Sequence, residues 1–167
     1  YVDVPASDKR DNFTINEQAG CELEVTINKI KKSGEVDKVT YNRVFKPDVT
    51  QEVRLYGFAG NDVFSVTGDA ASPIKVRMMG GNGADSFYVD KKLHNRENIY
   101  VYDRSDSTNI IPSSTDARLR TSTDTVVNSY NKTAFKYDRF EPIILANYNT
   151  DIGILLIGRF SYEKHGL

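Results

Sequence analysis

The sequence predicts an all-β fold, a short β-solenoid or β-roll-like stack of strands with flanking antiparallel hairpins. Apolar and polar residues alternate in run after run along the 167 residues, as at positions 23–28, and this alternation is typical of a half-buried strand. No stretch keeps apolar residues at helical spacing over three turns, so we expect no long helix. Ten Tyr, eight Phe and many Val, Ile and Thr also favour strands.

The predicted elements divide the chain into three parts. A solenoid-like domain at 1–104 holds strands at 13–16, 22–30, 38–45, 52–56, 63–66, 74–79, 86–89 and 98–102, with a hairpin turn at 31–35. A long loop rich in Ser, Thr and Asp follows at 105–124. The third part, 125–167, holds strands at 125–134, 135–140 and 151–163, the last of which is long enough for a membrane strand.

Composition and motifs exclude several function classes. The net charge of −1 gives no electrostatic reason to expect binding to nucleic acid or to an anionic membrane. One cysteine, Cys21, excludes an internal disulfide framework, and its apolar neighbours predict a small core residue. The two histidines, His94 and His165, stand alone, and no hydrolase, metalloprotease or P-loop motif occurs. We therefore expect this segment not to be an enzyme.

The sharpest local pattern is a glycine–aspartate turn at 80–87, which reads Gly-Gly-Asn-Gly-Ala-Asp-Ser-Phe. It matches the calcium-binding repeat of parallel β-rolls. A second copy at 57–64 lacks only the second glycine, and the two motif aspartates are Asp62 and Asp85. A weak echo without glycines begins at Asp11, and Asp103 follows a strand in the corresponding place. We expect the two turns to stack, with the strand at 54–56 on 77–79 and Phe64 on Phe87.

Stacked turns of this kind offer two alternatives. Glycines let carbonyl oxygens point inward and each aspartate adds a carboxylate, and oxygen ligands suit calcium. The candidate metal-site residues are Asp62, Asp85, Gly57, Ala59, Gly80, Asn82 and Gly83. In the alternative, the turns hold no metal and the two aspartates accept hydrogen bonds from backbone amides. Calcium is the one cofactor that the sequence suggests.

Tyrosines raise a separate possibility of ligand binding. Tyr88, Tyr100 and Tyr102 lie on predicted strands and could form a platform for a sugar ring. The competing interpretation is a role in the core or on a half-buried strand face.

The runs at 52–64 and 74–81, together with 127–130 and 135–138, resemble the region just before the C-terminal barrel of large Bacteroidetes outer-membrane proteins. Many of these carry a calcineurin-like metallophosphoesterase domain and end in a surface-antigen (BamA-like) barrel. The turn at 80–85 alone also resembles haemolysin-type (RTX-like) repeats, but the long nine-residue arrays of those proteins are absent. The resemblance implies a strand at 151–163 that opens a barrel.

The predicted function is a non-catalytic structural or linker module of a bacterial cell-envelope protein, calcium-stabilised or metal-free, which precedes an outer-membrane barrel. One alternative is a calcium-dependent extracellular module that binds carbohydrate. Another is a fragment of a metallophosphoesterase whose active site lies elsewhere. Because the chain begins at Tyr1 without an initiator Met, we expect it to be part of a longer protein. Its expected partners are the rest of that chain, with membrane contact only through the barrel, in a periplasmic or outer-membrane-associated location.

Overall fold

The computed structural model describes residues 1–130 and 138–164, which belong to two compact units, Tyr1–Tyr130 and Asn131–Leu167. The described residues form strands and two short 3₁₀ helices. In chain order the strands are β1 (Val2–Pro5), β2 (Asp11–Gln18), β3 (Glu22–Ile30), β4 (Val36–Phe45), β5 (Glu52–Tyr56), β6 (Val63–Gly68), β7 (Lys75–Met79), β8 (Ser86–Val89), β9 (Ile99–Tyr102), β10 (Arg118–Leu119), β11 (Arg139–Asn149) and β12 (Gly153–Glu163). The 3₁₀ helices span Arg96–Asn98 and Thr125–Asn128.

The first unit contains two five-stranded sheets. The first sheet has the order β1-β5-β7-β9-β10, and all of its neighbouring strands are parallel. The second sheet has the order β4-β3-β2-β6-β8, in which β2, β6 and β8 are parallel while β2, β3 and β4 pair antiparallel. Successive strands therefore alternate between the sheets from β5 to β9.

The predicted β-solenoid with flanking hairpins is wrong, because the strands form mixed sheets, parallel and antiparallel. The physical reason lies in β2, which pairs with β3 along one edge and with β6 along the other. The antiparallel strands β3 and β4 thus continue the second sheet instead of flanking a stack. Alternation of apolar residues specifies which face of a strand is buried, but it does not specify the direction of its neighbour.

Both sheets of the first unit contribute to one hydrophobic core. Phe64 is stacked between Phe13 and Phe87, with ring centroids 4.2 Å and 4.9 Å apart, and all three rings are fully buried. The predicted pairing of Phe64 with Phe87 is confirmed, as is that of residues 54–56 with 77–79. Cys21, predicted to lie in the core, is exposed in the β2–β3 turn with φ of 60°.

The second unit is a two-stranded antiparallel hairpin, β11 and β12, each of eleven residues. Part of the predicted strands 125–134 and 135–140 falls outside the described residues, and a 3₁₀ helix occupies Thr125–Asn128. No helix in the described parts of the chain is long and apolar enough to cross a membrane.

Candidate functional site

The two glycine–aspartate corners lie directly on one another. Residues 57–62 follow β5 and residues 80–85 follow β7, and Ala59 pairs with Asn82 in a parallel bridge. The Gly60 amide donates to the Asn82 carbonyl over 2.9 Å, and the Asn82 amide donates to the Phe58 carbonyl over 2.8 Å. The predicted stacking of the corners is therefore confirmed.

Aspartates join the corners through a ladder of hydrogen bonds. The backbone amide of Asp11 donates to Oδ1 of Asp62 over 2.7 Å, and the amide of Asp62 donates to Oδ1 of Asp85 over 2.8 Å. The amide of Asp85 donates in turn to Oδ1 of Asn109 over 2.9 Å. We call these four residues the aspartate ladder. Each rung satisfies a backbone donor that would otherwise be buried without a partner.

The two ends of the ladder are neutralised differently. Oδ1 of Asp11 lies 2.7 Å from Nζ of Lys29, and its Oδ2 accepts hydrogen bonds from the amide and hydroxyl of Ser7. Asn109, at the other end, carries no charge and donates from Nδ2 to the Arg104 carbonyl over 2.9 Å. The middle rungs, Asp62 and Asp85, have neither compensation.

The first glycine of each motif makes room for the aspartate five residues later. A Cβ on Gly57 would collide with the Asp62 carboxylate and the Gly80 carbonyl. A Cβ on Gly80 would collide with the Asp85 carboxylate and would lie 2.8 Å from Oδ2 of Asp103. Strand register places Asp103 at the position that Gly57 and Gly80 occupy in the earlier corners.

Burial controls the charge state of these carboxyls. Asp62, Asp85 and Asp103 are fully buried, and Oδ2 of each has no hydrogen-bond partner among the described residues. Burial, reinforced by the carboxylates of Asp85 and Asp11, raises the pKa of Asp62 to about 8. Burial raises the pKa of Asp85 to about 6, and burial together with the Asp85 charge raises the pKa of Asp103 to about 7. Around neutral pH, part of this cluster therefore holds protons.

Backbone groups of the two corners bind one another directly. Carbonyl and amide groups of one corner bond directly to the next, and the Gly83 carbonyl accepts a hydrogen bond from the Ser107 hydroxyl. One oxygen of each motif aspartate already binds an amide, and the other lies against a glycine backbone. Calcium needs six to eight oxygens around one point. Within residues 1–130 and 138–164, no group of three or more His, Cys, Asp or Glu could hold a metal ion. Calcium binding stays a prediction.

Sequence reasoning found Asp62 and Asp85 but did not find Asn109. The one available signal is spacing, because Asp85 lies 23 residues after Asp62 and Asn109 lies 24 residues after Asp85. Asp11 and Asp103 were weak echoes of the motif, and the structure brings both into contact with the two corners.

Other candidate residues lie apart from this cluster. His94 is exposed, and His165 lies outside the described residues. No family model, curated protein or solved structure matches the chain.

Proposed function

We propose that the first unit is a non-catalytic structural module of a bacterial cell-envelope protein, held together at its corners by buried carboxyls without a bound metal. The aspartate ladder is the observation that carries this proposal. It ties the first residue of β2 to the corners before β6 and β8 through side chain to backbone hydrogen bonds that span 51 and 23 positions. Such bonds stabilise the architecture, and the second carboxylate oxygens of Asp62 and Asp85, which accept no hydrogen bond among the described residues, are buried.

The position of the acidic groups supports a structural over a catalytic role. A catalytic acid must reach the proton that it transfers. Asp62, Asp85 and Asp103 have raised pKa values, as catalytic acids often have, yet all three are fully buried. A cleft of about 540 Å³ lies against the corners at Phe58, Ala59, Gly81 and Asn82, but the three aspartates do not line it. Their raised pKa values follow from burial.

We propose further that the hairpin of the second unit associates with a membrane. Directly paired residues of β11 and β12 share one face, and ten of them form a continuous apolar surface. They are Phe140, Pro142, Ile144, Ala146, Tyr148, Ile154, Leu156, Gly158, Phe160 and Tyr162. Aromatic residues stand at both ends of this apolar face, and its large side chains are exposed. Strands of eleven residues with this pattern fit the length of a membrane-embedded strand.

Thermal unfolding of the whole chain in millimolar calcium and in chelator tests the metal-free proposal. We expect the two melting temperatures to agree within about 1 °C, because the ladder needs no cation. A rise of several degrees in calcium that disappears in both Asp62→Ala and Asp85→Ala would refute it and establish a metal site. A phosphatase assay should read zero, and activity lost on mutation of a described residue would overturn the non-catalytic assignment.

A further inference from the structure

A lysine and an aspartate lie against each other where β2 begins. Asp11, the first residue of β2, is directly opposite Lys29 of β3 in the antiparallel pair. Directly opposite residues project from the same face of a sheet, so the two side chains meet. Nζ of Lys29 lies 2.7 Å from Oδ1 of Asp11, whereas the other lysine ion pairs in the described parts of the chain join atoms 3.5–3.9 Å apart. This pair is therefore the closest lysine–carboxylate contact among the described residues.

The carboxylate of this pair is removed from water. Asp11 is fully buried, and its Oδ1 has no hydrogen-bond partner among the described residues, although Nζ of Lys29 is close to it. A buried carboxylate loses its hydration, and an ion pair recovers that loss only in part. An uncharged group at the same place carries no such penalty. The site therefore favours any reaction that removes both charges.

The second oxygen of Asp11 is held by two donors of one residue. Oδ2 accepts a hydrogen bond from the Ser7 amide over 3.1 Å and another from the Ser7 hydroxyl over 2.8 Å. Nζ of Lys29 in turn donates to Oγ of Ser7. Two donors at one oxygen are the arrangement that stabilises negative charge when a nucleophile adds to a carbonyl carbon. Ser7 thus positions both the amine and the carboxyl group.

We propose that Lys29 and Asp11 join in an intramolecular isopeptide bond. Nζ of Lys29 adds to Cγ of Asp11, and negative charge builds on Oδ2, where the two Ser7 donors lie. The bond between Cγ and Oδ1 then breaks, and Oδ1 leaves as water with two of the three ammonium protons. One ammonium and one carboxylate thereby become one neutral secondary amide and one water molecule. No oxidant, cofactor or further reactant is needed.

The fold supplies what this condensation lacks in free solution. The paired strands hold the amine against the carboxyl group, which replaces a bimolecular encounter by an intramolecular one. After the reaction Oδ2 is the amide oxygen and keeps the two Ser7 donors. A cleft of about 240 Å³, which Ser7, Asp11 and Lys29 help to line, borders the site, and the Lys29 side chain is 26% exposed. The water that forms leaves through this cleft.

The bond adds a covalent link at one end of the aspartate ladder. It joins the first residue of β2 to β3, and the Asp11 amide also donates to Oδ1 of Asp62. The β2–β3 pair is then fixed by a bond that denaturant does not break. This modification goes beyond the structural function proposed above and is independent of whether the corners hold a metal.

Intact mass spectrometry of the whole folded chain, unfolded only for the measurement, tests the proposal. We expect a mass lower by one water molecule than the sequence requires. Lys29→Arg keeps a cation opposite Asp11, but a guanidinium stays protonated and does not form the amide, so this variant should have the full mass. Lys31→Arg is the matched control, because Lys31 pairs only with the exposed Glu35 and Asp37 at 3.9 Å and 3.7 Å, and it should keep the loss of water. A parent chain of full mass overturns the proposal, and so does a loss of water that persists in Lys29→Arg.

Digestion with trypsin locates the bond. Trypsin cuts after free lysine and arginine side chains, and the sequence contains neither between Arg10 and Lys29. Because the amide blocks cleavage after Lys29, the cross-linked chain should give a fragment 11–31 that is lighter by one water molecule. A fragment 11–29 of full mass contradicts the proposal, as does a loss of water confined to another fragment.

Discussion

Replacing Asp62 by Asn should remove the pH-dependent loss of stability that the buried Asp62 carboxyl causes. The asparagine keeps Oδ1 as the acceptor for the Asp11 amide. Its Nδ2 takes the place of Oδ2. That oxygen and the Gly80 carbonyl oxygen both lie within 2.6 Å of the position that a Cβ on Gly57 would take. The chain already contains this solution, since Asn109 occupies the last rung of the same ladder. We therefore expect Asp62→Asn to fold.

The magnitude follows from the pKa of Asp62, which burial raises from 3.8 to about 8. Since the folded pKa is above the unfolded one, the folded protein holds a proton that the unfolded chain releases between these values. The contribution of Asp62 to the free energy of unfolding is therefore largest in acid and falls as pH rises from about 4 to about 8. At about 1.4 kcal/mol per unit, the loss by pH 7 is at most about 4 kcal/mol. Asp62→Asn should match the parent near pH 4 and exceed it by up to this amount at pH 7.

Urea unfolding followed by circular dichroism at several pH values between about 4.5 and 8 measures this difference. Asp69→Asn, at an exposed aspartate, is the matched control and should follow the parent at every pH. The reasoning is refuted if parent stability does not change between pH 5 and 8. It is also refuted if Asp62→Asn is destabilised by the same amount at every pH.

Three further predictions concern packing and the hairpin. In the same urea assay, Gly80→Ala should destabilise the first unit by more than about 2 kcal/mol, because its Cβ would displace buried carboxylates. Gly34→Ala is the control: nothing lies within 4 Å of its Cβ, and it should cost only about 1 kcal/mol of backbone strain. Phe64→Ala should cost about 3–5 kcal/mol through the cavity between two stacked rings, whereas exposed Tyr88→Ala should cost under about 1 kcal/mol by thermal unfolding. Leu156→Arg, on the apolar face of the hairpin, should weaken partition into phosphatidylcholine vesicles by about 2–4 kcal/mol. Asn147→Arg, at a position of the opposite face that is already polar, should weaken it much less. Equal effects within any of these pairs would contradict the corresponding argument.

The sequence carried enough information to predict the buried face of β3 and how the two motif corners meet. It did not do so for β4, whose Val36, Val39 and Val44 are exposed. Phe64 and Phe87 follow equivalent aspartates, so equal spacing predicted their stacking. The sequence did not reveal that β2 accepts an antiparallel neighbour and a parallel neighbour at once, because alternation is the same in both cases. Cys21 was misplaced since the apolar alternation of β3 extends by one residue into the turn, where a positive φ directs the side chain outward. Asn109 escaped notice because no glycine marks its corner.

The ladder also limits how many corners of this kind a chain can accumulate. It is closed at one end by a lysine and at the other by an amide, so only the interior rungs carry uncompensated acid. Inserting another copy of the 23-residue spacing that separates Asp62 from Asp85 would add one more carboxyl shielded from water. Each insertion would raise the number of protons that the folded protein must hold. At neutral pH, a longer array would therefore need an amide side chain instead of the added carboxyl, or a bound cation beside it. Growth by duplication is thus restricted by acid–base chemistry before it is restricted by packing.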